Sequence, residues 1–209
     1  MYRNGVKRML DMVLALGGLM IGGWALLLLA IAVKLDSPGP VFFRQKRVGI
    51  HKTHFNILKF RTMRTDTPSD IPTHLLRDPQ RYITRVGGFL RRTSLDELPQ
   101  VFNILMGHMS VVGPRPALWN QDDLIAERDR YGANDVRPGL TGWAQINGRD
   151  ELEIPVKARL DGEYVRNLTF AMDLRCFFGT FLPVLRKEGV VEGGTGALGR
   201  EEEEQNAKP

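Results

Sequence analysis

Between Met12 and Val33 the chain runs for 22 residues without a charge. As an α-helix this run is about 33 Å long, enough to cross a hydrocarbon core of ~30 Å, so any fold must leave it in lipid or bury it whole. A cleavable signal peptide does not fit. The run exceeds the usual apolar region of one, and Lys34-Leu35-Asp36-Ser37-Pro38 stands where a small-residue cleavage site would be. A core helix fits badly, because no polar stripe interrupts the run. The flanks do not select an inside end: Arg3, Lys7 and Arg8 precede it, and Lys34, Arg44, Lys46 and Arg47 follow. Two glycine pairs, Gly17-Gly18 and Gly22-Gly23, the second beside Trp24, offer a place for the helix to turn back. On the residues alone, a spanning helix and a re-entrant hairpin both stay open.

Outside this segment the 209 residues hold enough apolar side chains, 43% of the chain, for one ordinary core, which excludes global disorder. The single cysteine, Cys176, excludes a disulfide framework, and no Cys/His cluster has zinc-site spacing. The net charge is +5, yet residues 190–209 carry five acids against two bases, so the remainder stands at +8. Such a body favours an anionic partner: nucleic acid, acidic lipid or a phosphorylated substrate.

Three segments follow: 1–36 with the membrane helix, 37–189 as the main body, which the resemblance given below implies is the catalytic domain, and 190–209 as a flexible acidic tail. Pro38-Gly39-Pro40 reads as a hinge, and Val41 to Phe60 as short strands carrying Arg44, Lys46, Arg47 and Lys59. Thr65 to Pro79 reads as a mobile loop. Gly87 to Leu105 reads as helix interrupted around Ser94 to Pro99, Asp122 to Tyr131 as a polar helix, and Val156 to Leu168 as an amphipathic one. Asp173 to Arg186 places Leu174, Phe177, Phe178, Phe181, Leu182 and Leu185 on one face, which suits either a core helix or one lying in lipid headgroups, with Pro183 shortening it.

Several patterns carry no chemistry. Gly194 to Gly199 matches G-x-G-x-x-G, but no βαβ unit surrounds it. His51 and His54 lack partner ligands and read as surface residues. Ser94-Leu95-Asp96-Glu97 has the pattern of a helix capping box, with Ser94 as N-cap and Glu97 reaching back. The same geometry could do more. A helix N-terminus would keep Asp96 ionised as a nucleophile and hold a phosphoryl group beside it, with Glu97 able to bind Mg²⁺ and Arg91 and Arg92 adding positive charge. In Gly113-Pro114-Arg115-Pro116 the prolines stiffen the backbone around an arginine, as a structural turn or as a preorganised phosphate clamp.

Taken together the motifs resemble the bacterial sugar transferase family, the monotopic phosphoglycosyl transferases. The resemblance runs from Tyr2 to about Gly189. It rests on Lys7-Arg8 with Asp11, Lys59-Phe60-Arg61-Thr62-Met63, Leu95 to Gln100, Asn103-Ile104-Leu105, Met109 to Pro116, and Arg137 to Arg149. It implies an α+β fold, mostly helical, with an N-terminal re-entrant membrane helix, amphipathic interfacial helices and a small β element around the active site. It implies Asp96 and Glu97 as the catalytic pair, Mg²⁺ as cofactor at Glu97, and substrate contacts from Lys59, Arg61, Arg91, Pro114, Arg115, Pro116, Arg137, Trp143, Gln145, Asn147 and Arg149. The implied partners are a UDP-sugar, polyprenyl phosphate and membrane lipids. In the implied reaction Asp96 takes the phosphosugar, UMP leaves, and the lipid phosphate accepts, on the cytoplasmic face of the bacterial inner membrane. This is the first membrane step of glycan assembly.

Two departures stand out. Gly23-Trp24 occupies the place where the family commonly bends at Ser-Pro, and His108 stands where relatives often have an acid. Nucleic acid is not an expected partner, since no aromatic residues interleave the basic ones. The match to the catalytic unit alone leans toward an N-acetylated amino sugar, and both a monomer and a homodimer stay open.

Overall fold

The apolar run folds as one helix. In the computed structural model, which describes residues 2–67, 79–148 and 152–180, a π-helical turn at Tyr2–Val6 leads into α1, Lys7–Asp36. Helical hydrogen bonding runs on through Gly22-Gly23. Each glycine costs a helix only ~1 kcal/mol, and breaking the ladder among apolar side chains would leave backbone groups without partners. Only 6% of the helix's most apolar window is buried, which excludes a core helix.

Both ends of α1 nevertheless dock on the same body. Near its start Ala15 packs into the cluster of Ile104, Met109 and Val111. Near its end Val33 packs with Phe60 and Leu90, and Asp36 accepts a hydrogen bond from Val86 N at 3.0 Å. Between these anchors Met20 is 86% and Ile21 79% exposed.

Among the described residues the body has two small sheets. Strands β1, Phe42–Val48, and β2, His54–Phe60, pair antiparallel in unbroken register from Phe42↔Phe60 to Val48↔His54. Helix α2, Arg85–Thr93, starts at Thr84, whose hydroxyl accepts from Gly87 N at 3.0 Å. Helix α3, Gln100–Leu105, lies along β2. The fully buried Asn103 accepts from Leu58 N at 2.9 Å and donates to Asn56 O at 2.8 Å, so one side-chain amide stands in for a neighbouring strand.

The second sheet pairs β3, Ser110–Val112, parallel with β4, Gly139–Thr141. Around it α4, Asp122–Asp129, meets α6, Ile154–Arg166, through a buried ion pair in which Arg128 Nε and Nη2 reach Asp161 Oδ2 at 2.8 and 2.6 Å. The short α5, Trp143–Ile146, packs against α6 and α7. Helix α7, Phe170–Gly179, is capped by Thr169. The architecture is therefore α+β and mostly helical. The helix expected over 173–186 begins three residues earlier, at its threonine cap, and Phe181, Leu182 and Leu185 lie outside the described residues. So do most of the 65–79 loop and the whole 190–209 tail.

Candidate active site

The site forms where α2 hands over to α3. Helix α2 ends with Ser94 in the left-handed region, φ +57°, its N–H bonded back to Arg91 O at 3.2 Å. One 3-10 turn, Leu95–Glu97, then carries two acids against β2. The capping box does not form. Ser94 makes no side-chain cap bond, and the Glu97 carboxylate, which would reach back to Ser94 N, turns instead to two cations. Charge-assisted bonds at a nearly buried carboxylate outweigh a neutral cap bond. Nor does Asp96 occupy an α-helix N-terminus: it sits inside the 3-10 turn, and α3 starts only at Gln100.

Glu97 Oε1 accepts from Lys59 Nζ and from Arg115 Nη2, each at 2.7 Å, while Oε2 has only a 3.4 Å approach from Arg115 Nη1. Asp96 Oδ2 lies 3.9 Å from Lys59 Nζ. The Asp96 side chain is 13% exposed and that of Glu97 16%. The two carboxyls diverge. Burial pushes Asp96 above its ordinary value and the charge of Glu97 adds to that, against the pull of Lys59, Arg115 and Arg91. Burial acts on Glu97 in the same sense, but Arg115 and Lys59 together overcome it and hold its carboxyl well below the usual range. One acid is a locked anion. The other is a carboxylate poised for further positive charge or for bond formation.

The arginine reaches Glu97 from a rigid support. Gly113, Gly139 and Gly142 press backbone on backbone: a Cβ at Gly139 would lie 2.1 Å from Gly113 N, and one at Gly142 2.1 Å from Gly113 O. Pro114 O accepts from Gly139 N at 2.9 Å and Pro116 O from Arg47 Nη1 at 3.0 Å, so both residues flanking Arg115 are tied down.

The structure thus brings together Asp96, Glu97, Lys59 and Arg115, with Arg91 within electrostatic reach. The other expected contacts have different partners. Arg61 is 6% exposed and ties down the end of α1, donating to Ser37 O at 2.7 Å and Pro38 O at 2.5 Å just past the helix and approaching Val33 O at 3.4 Å in its last turn, where carbonyls need donors. Arg137 donates to Gly107 O at 3.0 Å from an exposed position. Trp143 donates to Glu163 at 3.1 Å beneath the Arg175 guanidinium, and Asn147 bonds back to Trp143 O. Gln145 is buried beside Gly142, and Arg149 lies outside the described residues. His108 stacks on Phe55. Sequence reasoning gave no role to Arg47, which braces the Pro116 carbonyl, and quoted Asn103 only within a motif, whereas its amide pairs with β2.

No group of three His, Cys, Asp or Glu side chains gathers among the described residues. The donor set is instead one or two carboxylates, which suits a hard divalent ion that takes its remaining ligands from water and substrate phosphates.

A family model described as bacterial sugar transferase matches residues 2–187. An exopolysaccharide production protein of Rhizobium leguminosarum bv. phaseoli is 41% identical over 196 residues, covering 87% of this chain and 96% of its own. A UDP-glucose:undecaprenyl-phosphate glucose-1-phosphate transferase of Escherichia coli (strain K12) is 41% identical over 194 residues, covering 85% of this chain and 40% of that longer protein. A UDP-N-acetylgalactosamine-undecaprenyl-phosphate N-acetylgalactosaminephosphotransferase of Aeromonas hydrophila is 35% identical over 188 residues, covering 86% and 44%.

Proposed function

The chain belongs to the bacterial sugar transferase family, and from that premise we propose that it moves a phosphosugar from a UDP-sugar to polyprenyl phosphate in two displacements at Asp96. The observation that carries this reading is the split between adjacent acids, one locked by Lys59 and Arg115 and one left able to react. An Asp96 carboxylate oxygen attacks the β-phosphorus. The bond from that phosphorus to the bridging oxygen breaks, UMP leaves, and an aspartyl phosphosugar remains. A phosphate oxygen of the lipid then attacks the same phosphorus, releasing Asp96 and forming a lipid diphosphosugar. Arg115 and Lys59 offset charge on the phosphoryl oxygens in both steps. Glu97 fits as the protein ligand of Mg²⁺, which would neutralise diphosphate charge when bound.

Two anchors of α1 on one body support a monotopic arrangement, with both ends on the cytoplasmic face of the inner membrane and the exposed stretch between them in lipid. Exposed Phe170, Leu174 and Phe178, at helical spacing on α7, suit a helix lying at the interface. The named relatives use glucose and N-acetylgalactosamine donors, so the sugar is best found by screening.

The test is UMP release by purified protein from a panel of UDP-sugars. With donor alone, up to one UMP per active site should appear before any lipid is added, with an adduct on the Asp96 peptide after rapid quench. Asp96→Asn should fold and release none. Intersecting initial-rate plots with no burst and no adduct would mean direct attack by the lipid phosphate, and Asp96 would not be the nucleophile.

A further inference from the structure

The first turns of α1 take hold of the strand that leads to Arg115. Asp11 is 4% exposed, and its Oδ1 accepts from Ser110 Oγ and from Val111 N, both at 2.9 Å. Among the described residues strand β3 has a strand neighbour on one side only, β4, so the Val111 amide on the other side needs a partner. The carboxylate of the membrane helix supplies it, in the place a third strand would take, and charge strengthens both bonds. One residue on, the Tyr164 hydroxyl lies 3.1 Å from Val112 O and 2.7 Å from Asp173 Oδ1. Asp173 Oδ2 accepts from Lys7 Nζ at 2.6 Å and from the Tyr2 hydroxyl at 2.5 Å. Gly113 N then bonds Thr141 O at 2.8 Å, and two residues later Arg115 grips Glu97. From Asp11 to Glu97 the path runs along the backbone from Val111 to Arg115, with short polar contacts holding Val111, Val112 and Gly113 on the way.

We propose that Asp11 is a positioning residue for the transferase reaction. By clamping β3 it sets the reach of Arg115 to Glu97 and to the phosphates, so the membrane helix is part of the catalytic geometry and more than an anchor. The proposal rests on the transferase reading for its kinetic consequence, but the clamp itself does not. A misplacement of ~1 Å at such a group costs up to about 10²-fold in rate.

The experiment compares the unaltered protein with Asp11→Ala, Asp11→Asn, Ser110→Ala and Arg8→Gln in lipid nanodiscs. Asn keeps an oxygen that can accept both bonds. Arg8 is the control, since it docks the same end of α1 on Ile104 O and Leu105 O at 2.7 and 3.1 Å without touching β3. Hydrogen exchange over residues 109–116 reads the clamp without any turnover. Asp11→Ala should speed it by about tenfold or more, Ser110→Ala by less, and Asn and Arg8→Gln little. In UMP release Asp11→Ala should lower kcat by roughly 10- to 100-fold with KM for the donor changed by less than about threefold, and Asn should restore most of it. In an Arg115→Ala background Asp11→Ala should cost less than about twofold more, since the two act as one unit. Unchanged exchange in Asp11→Ala, independent multiplication of the two losses, or an equal effect from Arg8→Gln would overturn the proposal. Failure of the unaltered protein to release UMP from any donor would defeat the transferase reading alone, and exchange would still decide the clamp.

Discussion

Asp96 and Glu97 are neighbours in the chain and opposites in charge behaviour, and the difference lies in what each touches. Among the cations that pull the Asp96 carboxyl down, Lys59 is the strongest, and it acts from 3.9 Å. Lys59→Met should therefore raise Asp96 further. Since only the ionised carboxylate attacks, the acid limb of kcat/KM should move to higher pH, away from the ordinary carboxylate value of about 4, and a pH-rate series from 4 to 8 reads this directly. A limb that stays put would mean another group sets it. Glu97 has the opposite sign. Its folded carboxyl is depressed, so its contribution to stability is complete above the unfolded value of about 4.3 and is lost only as pH falls through the lower folded value. The stability gap between the unaltered protein and Glu97→Gln should accordingly be full near neutrality and shrink in acid, measured by denaturant unfolding across pH.

The helices and the hairpin were legible because their cause is local. The apolar periodicity of Val156 to Leu168 and the strand-forming residues between Val41 and Phe60 belong to the segments themselves. The handover at Ser94 was legible only as an interruption. Which way Glu97 turns depends on Lys59 and Arg115, which lie 38 and 18 residues away in sequence. For the same reason the motif positions divided: Lys59 and Arg115 converge on the acids, whereas Arg61 and Trp143 support α1 and α6, and spacing along the chain does not distinguish those roles. Strand β3 shows what glycine contributes here, which is close approach. Gly139→Ala would push a methyl into Gly113 N and separate β3 from β4, at a cost of roughly 3 kcal/mol. Gly17→Ala meets nothing within 4 Å and should be neutral or stabilising. Thermal unfolding of the two variants in one lipid system tests the contrast, and equal shifts would refute it.

At the scale of the whole molecule the proposed monotopic arrangement asks what would keep both ends of a 30-residue apolar helix on one side of a membrane. A glycine bend is the answer the sequence suggests, yet α1 is unbroken through Gly22-Gly23. In the proposed arrangement the docked ends would supply the restraint. Letting α1 span would require releasing either Tyr2 and Lys7 from Asp173 or Asp36 and Arg61 from their partners. The first choice strands the Asp173 carboxylate, 8% exposed, without its cation, at a cost of several kcal/mol. Leucines at 22 and 23 fit freely, because nothing lies within 4 Å of either Cβ position. Single cysteines at Gly5 and Arg44, in a Cys176→Ala background, should thus both be labelled by an impermeant maleimide from the cytoplasmic side only, and should remain so in Gly22→Leu/Gly23→Leu. Asp173→Asn weakens the N-terminal clasp, which Arg8 and Asp11 also hold, without changing the positive charge that flanks the helix. In that variant, with the two leucines present, labelling of Gly5→Cys should begin to appear from the opposite side. If the leucines alone send position 5 across, the glycines hold the topology and the docked ends do not.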